Sequence, residues 1–134
     1  MSDATYQELL DLAIKVGREA AEILSDRPAS LDVKSKSTSR DIVTQMDVKA
    51  EKFIVDSILA ARPDDGIIGE EGADRPSKSG ITWVIDPLDG TVDYFYNFPG
   101  WNVSIAAQDS EGSIVGVVTA PSIHRTWWST RGVG

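Results

Sequence analysis

Residues 83–100 read WVIDPLDGTVDYFYNFPG. The apolar run Trp83-Val84-Ile85 passes at once into Asp86, Pro87, Leu88, Asp89, Gly90 and Thr91. That pattern predicts a buried strand feeding a tight loop. The loop carries two carboxylates, Asp86 and Asp89, three positions apart. A segment at a strand end holds functional groups on a rigid support. Just upstream, the short apolar strand Ile67-Ile68 runs into Gly69-Glu70-Glu71-Gly72. We expect these two acidic elements to converge on divalent cations. Taken alone, two glutamates between glycines also read as a solvated loop.

Upstream of this centre the chain predicts two helices. From Thr5 to about Leu24, apolar residues recur at Leu9, Ala13, Val16, Ala20 and Ile23/Leu24, and Thr5 and Glu8 have capping-box spacing. Pro28 blocks continuation. Residues 31–36 (LDVKSK) alternate like an edge strand, with Lys34 and Lys36 on one face; a solvated face accounts for both lysines. In DIVTQMD, residues 41–47, Thr44 is placed to cap a second helix that runs to Ala61, ahead of Pro63. Asp47 then falls near the third helical position, where the helix dipole and free N–H groups favour a carboxylate. Capping is therefore a sufficient reason for Asp47. Residues 73–80 (ADRPSKSG) predict a polar, mobile surface loop.

Downstream, Trp101, Val103, Ile105 and Ala107 alternate with Asn102, Ser104, Ala106 and Gln108 as in a half-buried strand. Asp109-Ser110-Glu111-Gly112 predicts a hairpin loop. Residues 113–120 and 125–130 predict two more strands, separated by Pro121. Strands joined by short turns, after two helices, predict an α+β fold: two N-terminal helices packed on one side of an antiparallel sheet. Trp101, Trp127 and Trp128 read as core or interface residues, and His124, the single histidine, as a surface or turn residue.

The 134 residues suffice for one domain with a core. A formal net charge of −8 argues against bulk attraction to nucleic acid or anionic membrane. It leaves anionic substrates open, because metal ions invert the sign of a local site. There is no cysteine, hence no disulfide and no thiolate metal site. The sequence shows neither a signal-peptide pattern nor an apolar run long enough to span a bilayer, and a cytoplasmic protein is expected. EF-hand, Walker A and dinucleotide-binding spacings do not match.

Hard cations such as Mg²⁺ take oxygen ligands. Glu70, Asp86, Asp89 and a backbone carbonyl between the two aspartates make such a set. Carboxylates brought this close repel, and cations relieve that cost. Gly90 admits close backbone approach, and the N–H groups after it suit phosphate oxygens. The Thr91 hydroxyl is placed to orient a water, with Asp47 as acceptor of its proton.

DIVTQMD, IIGEEG and WVIDPLDGTVD, in this order and at these spacings, resemble the inositol monophosphatase family of Mg²⁺-dependent, lithium-sensitive phosphatases. The resemblance runs from the first helix to the last residue. It implies half of the layered αβαβα sandwich of the inositol monophosphatase and fructose-1,6-bisphosphatase fold. Residues 1–134 would be its N-terminal metal- and phosphate-binding part, with the C-terminal half, which brings a Trp-Asp-x-Ala-Ala-Gly motif and a further metal aspartate, absent. By resemblance, Glu70, Asp86, Asp89 and the Leu88 carbonyl hold two or three Mg²⁺ ions, with Mn²⁺ an alternative. Glu70, Asp47 and Thr91 serve catalysis, Asp47 and Thr91 by polarising the attacking water. Gly90, Thr91 and Asp89 bind the substrate phosphate, and Lys36, Asp41 and Glu71 support the site. The reaction implied is hydrolysis of a phosphate monoester, most simply inositol monophosphate, by a metal-activated water without a phosphoenzyme. The alternatives are a catalytically incomplete metal-binding module, or action on adenosine 3′,5′-bisphosphate, fructose 1,6-bisphosphate or histidinol phosphate. The partner implied is a small phosphorylated metabolite, with no nucleic acid and no membrane, and a homodimer where the full fold is present. One departure stands out: the family's usual asparagine after DGT-x is Asp93 here.

Overall fold

The computed structural model describes residues 3–27, 33–35 and 42–132. Two long helices, α1 (Asp3–Ser25) and α2 (Gln45–Ala61), pack on a sheet whose strands are β3 (Gly66–Gly69), β4 (Asp74–Arg75), β5 (Thr82–Asp89), β6 (Asn102–Asp109), β7 (Gly112–Ala120) and β8 (Arg125–Thr130). Their spatial order is β4-β3-β5-β6-β7-β8. A separate antiparallel ribbon pairs β1 (Val33–Ser35) with β2 (Ile42–Thr44). A short helix, α3 (Thr91–Phe95), follows β5, and a 3₁₀ turn (Pro121–Ile123) joins β7 to β8. The α+β class is as the sequence predicts.

The helical periodicity of α1 does what it implies. Leu9, Ala13, Val16, Ala20 and Leu24 are all buried, in one core cluster with Ile54 and Ile58 of α2 and with Trp83, Ile85, Ile105 and Val117 of the sheet. Helix α1 lies against β6 and β7, and α2 against β5. Each fully buried large aliphatic side chain contributes about 1.5–3 kcal/mol, so this stripe fixes the helices on that face. At the start of α2 the expected cap forms, with the Met46 N–H donating to Thr44 Oγ1 at 3.2 Å and the Thr44 N–H to Asp47 Oδ1 at 2.7 Å.

Several expectations need correction. The sheet is mixed rather than antiparallel, because β3 and β5 run parallel. The chain leaves β3, reverses into β4 on the outer edge, then reverses again and enters β5 on the inner side, so two reversals restore the direction. Residues 73–80 are surface-exposed but not simply a loose loop. They contain β4, and two serines fasten them: Ser77 Oγ donates to the Ile81 carbonyl and Ser79 Oγ to Asp65 Oδ1, both at 2.7 Å. The strand expected over 31–36 is described only at Val33–Ser35. Ribbon strand β2 and helix α3 were not expected. Trp101 is buried, whereas Trp127 and Trp128 are exposed on the edge strand β8. His124 is the exposed turn residue expected of it.

Asp65 is the polar anchor of this core. It is 1% exposed and accepts from Trp83 Nε1 at 2.8 Å and from Ser79 Oγ, while Arg62 Nε pairs with it. It thereby ties the start of β5 to the turn after α2. Asp65→Ala strands the buried indole N–H and the guanidinium, and should cost about 2–4 kcal/mol, read as a lower urea midpoint with an unchanged slope.

Candidate metal and phosphate site

Asp86 and Asp89 were expected in a loop, yet β5 continues through both. Asp86 pairs with Ser104 of β6 and Asp89 with Asn102, so β5 spends three steps where β6 spends two. The extra residue is a β-bulge at Pro87-Leu88, where proline has no N–H to give to the ladder. Side chains alternate faces along a strand, so residues three apart should point to opposite faces. The bulge cancels that offset: Ser104 and Asn102 share one face, and Asp86 and Asp89 are brought into register with them. Sequence spacing hid this, because the two carboxylates share a face only through the irregularity between them.

The Glu70-Glu71 turn is held beside them by its backbone. The Glu70 N–H donates to the Ile85 carbonyl at 3.1 Å, which fastens the turn to the residue before Asp86. The Gly69 N–H donates to the Ala73 carbonyl at 2.7 Å and closes the turn. Electrostatics register the resulting proximity. Asp86 has its pKa pushed up from 3.8 to about 6, first by burial, then by the charges of Asp89 and Glu70 and, less, Glu71, with the Leu88 N–H pulling the other way. Among the described residues, no three acidic or histidine side chains close into a compact metal-holding group. The donor set of carboxylates and one carbonyl, all oxygen, fits a hard divalent cation, which would offset the part of the Asp86 shift that comes from Asp89 and Glu70 rather than from burial.

Asp47, 1% exposed, uses its two oxygens for separate contacts. Its Oδ1 accepts from the Thr44 N–H and hydroxyl, both at 2.7 Å, and completes the cap. Its Oδ2 accepts from Thr91 Oγ1 at 2.9 Å. Thr91 Oγ1 also lies 3.1 Å from the Leu88 carbonyl, so one hydroxyl proton has two acceptors. Capping and contact with Thr91 are therefore not alternatives: the cap orients Asp47, and its second oxygen reaches Thr91.

Gly90 precedes α3 with φ +86°, and a Cβ there would lie 3.3 Å from Trp101 Cα, so the position favours glycine on both counts. Two contacts hold α3 against α1. Tyr94 Oη donates to the Leu24 carbonyl at 2.6 Å, and Arg27 donates to the Tyr94 carbonyl at 2.6 Å while lying 4.6 Å from the Tyr94 ring centroid. Arg27 escaped the sequence reading because its partners lie 67 and 68 residues away. The Asp93 carboxylate sits close to Gly90 and Gly100, 3.5 and 3.4 Å from where a Cβ would stand on each. Lys36 and Asp41, expected to support the site, lie outside the described residues.

A sequence profile of the Inositol monophosphatase family matches residues 4–134. The fructose-1,6-bisphosphatase/inositol-1-monophosphatase of Thermotoga maritima is 35% identical over 126 residues, covering 93% of this chain and 48% of that protein. The histidinol-phosphatase of Mycobacterium tuberculosis is 35% identical over 127 residues, with 93% and 48% covered. Among solved structures, the Thermotoga maritima IMPase superposes with a TM-score of 0.88 at 34% identity, over 95% of this chain and 50% of that one. The chain thus spans about half the length of the curated relatives it matches. A profile matched along nearly the whole chain, relatives of this identity and a shared fold place the chain in the inositol monophosphatase family.

Proposed function

We propose that this chain is the metal- and phosphate-binding part of a Mg²⁺-dependent phosphatase that hydrolyses a small phosphate monoester, inositol monophosphate being the first candidate. The observation that carries the reading is the Thr91–Asp47 hydrogen bond, two residues along the chain from Asp89, which together with burial and Glu70 raises the pKa of Asp86. In this reading Glu70, Asp86, Asp89 and the Leu88 carbonyl hold Mg²⁺, with Mn²⁺ as substitute. The bound ions supply Lewis acidity toward the phosphate oxygens and lower the pKa of water.

The chain's own groups then divide the work. The backbone N–H groups after Gly90 face the phosphate, where the absence of a Cβ leaves room for close approach. Thr91 Oγ1 accepts a hydrogen bond from the attacking water and donates its own proton to Asp47 Oδ2. Engaging the Leu88 carbonyl elsewhere removes the competing acceptor and commits that proton to Asp47. On attack at phosphorus the water's proton passes by way of Thr91 to Asp47, whose capping contacts hold the acceptor in place, while the P–O bond to the alcohol breaks and the leaving alkoxide takes a proton from solvent.

Relatives named for fructose 1,6-bisphosphate and for histidinol phosphate set the substrate panel. Phosphate release should be followed from inositol 1-phosphate, fructose 1,6-bisphosphate, histidinol phosphate and adenosine 3′,5′-bisphosphate, with Mg²⁺ and with chelator. Mg²⁺-dependent release from at least one ester is expected. A folded sample that releases phosphate from none would overturn the reading.

A further inference from the structure

Of the buried carboxylates among the described residues, Asp47 and Asp65 have the roles given above, and Glu51 remains. It lies one turn after Asp47 on α2 and is 5% exposed. Its Oε1 accepts the Glu71 N–H at 2.9 Å and its Oε2 the Ala73 N–H at 3.0 Å. One side chain thus grips the backbone of the turn that carries Glu70 with both oxygens. The fit depends on Gly69, where a Cβ would lie 2.5 Å from Glu51 Oε1.

Burying a carboxylate is costly, and a well-packed apolar residue would serve stability as well. The arrangement achieves something packing cannot. Glu70 is itself exposed, and its turn has backbone anchorage beside Asp86. Two attachments supply it: Glu51 from α2, and the Ile85 carbonyl from β5. The same helix face, one turn earlier, holds Thr91 through Asp47. Helix α2 therefore spaces both acidic elements from a single rigid support.

We propose that Glu51 is a positioning residue for divalent-cation binding, fixing the Glu70-Glu71 turn against Asp86 without touching the cation. The inference rests on the reading of this site as a cation site. The positions holding a ligand in place commonly matter about 10–100-fold in metal affinity. Glu51→Gln leaves one oxygen to accept and sets an amide N–H₂ against the other backbone donor.

The test is a Mn²⁺ titration of the purified protein followed by electron paramagnetic resonance, together with amide hydrogen exchange in chelator. The wild-type protein should bind Mn²⁺. Glu51→Gln should bind it about 10-fold or more weakly. The Glu71 and Ala73 amides should lose protection while those of β6 and β7 keep theirs. Gly69→Ala, which leaves Glu51 in place but crowds its carboxylate, should do the same and serves if Glu51→Gln fails to fold. Variants that bind Mn²⁺ as tightly as wild type would overturn the proposal and leave the cation site standing. A wild-type protein that binds no Mn²⁺ would instead overturn the cation site, and this inference with it.

Discussion

Asp47→Asn should lower kcat by on the order of 10²–10⁴-fold at saturating Mg²⁺ while leaving most of the fold's stability intact. The two oxygens of Asp47 explain the split. An asparagine carbonyl can still accept the Thr44 N–H, so the α2 cap survives in part, and the loss should stay near the low end of the ~0.5–2 kcal/mol typical of capping residues. The other position becomes an N–H₂ donor facing Thr91 Oγ1. The Thr91 hydroxyl then loses its carboxylate partner, and the acceptor for the water's proton is gone. Asp47→Ala loses cap and acceptor together and should unfold at lower urea. Thr91→Ala should lower kcat comparably, and the double variant should be scarcely worse than either alone, because both act on one proton path. A kcat for Asp47→Asn near the wild-type value would remove Asp47 from that path.

Asp86→Asn should abolish Mg²⁺-dependent activity and, with divalent ions chelated, make the protein more stable than wild type above pH 6. The sign follows from the raised pKa. Between its ordinary 3.8 and about 6, the folded Asp86 holds its proton more tightly than the unfolded one. The folded state therefore binds more protons there, and stability falls as pH rises through this window. Above it the full cost of ionising Asp86, part-buried and beside Asp89 and Glu70, is present. Solvent screening at this part-exposed group reduces that cost to on the order of 1 kcal/mol. Urea unfolding at pH 4 and pH 7 checks this: the variant's advantage should be present at pH 7 and nearly absent at pH 4. Mg²⁺ should restore wild-type stability at pH 7 and do little for Asp86→Asn. An equal response of both proteins to pH would mean that burial and the neighbouring charges do not raise the Asp86 pKa.

The parts of the fold that sequence periodicity reaches were legible. Helices α1 and α2, the half-buried strand β6 and the hairpin into β7 each carry a repeating apolar pattern that burial must satisfy. The Thr44 cap was equally visible, since a cap is a local contact between residues three apart. What escaped was set by irregularity or by distance along the chain. The bulge at Pro87-Leu88 has no periodic signature, so Asp86 and Asp89 were assigned to a loop when they share a strand face. The parallel pairing of β3 with β5 depends on which side of β3 the chain returns, and the sequence of the connection does not record it. Glu51 carries no local signal of its contacts, because the N–H groups it grips lie 20 and 22 residues away. For the candidate site, residue types and order pointed to an oxygen-ligand cation centre, whereas the devices that position them became visible only in three dimensions.

The most direct test of the central claim is a crystal structure of the protein grown with Mn²⁺ and phosphate, read from the anomalous signal of manganese. Manganese should lie at direct-coordination distance, roughly 2.0–2.3 Å, from oxygens of Glu70, Asp86 and Asp89 and from the Leu88 carbonyl, with phosphate against the Gly90 and Thr91 N–H groups. Manganese bound elsewhere, or touching only one of these carboxylates while the crystals still release phosphate from an ester, would contradict a single site built from both acidic elements.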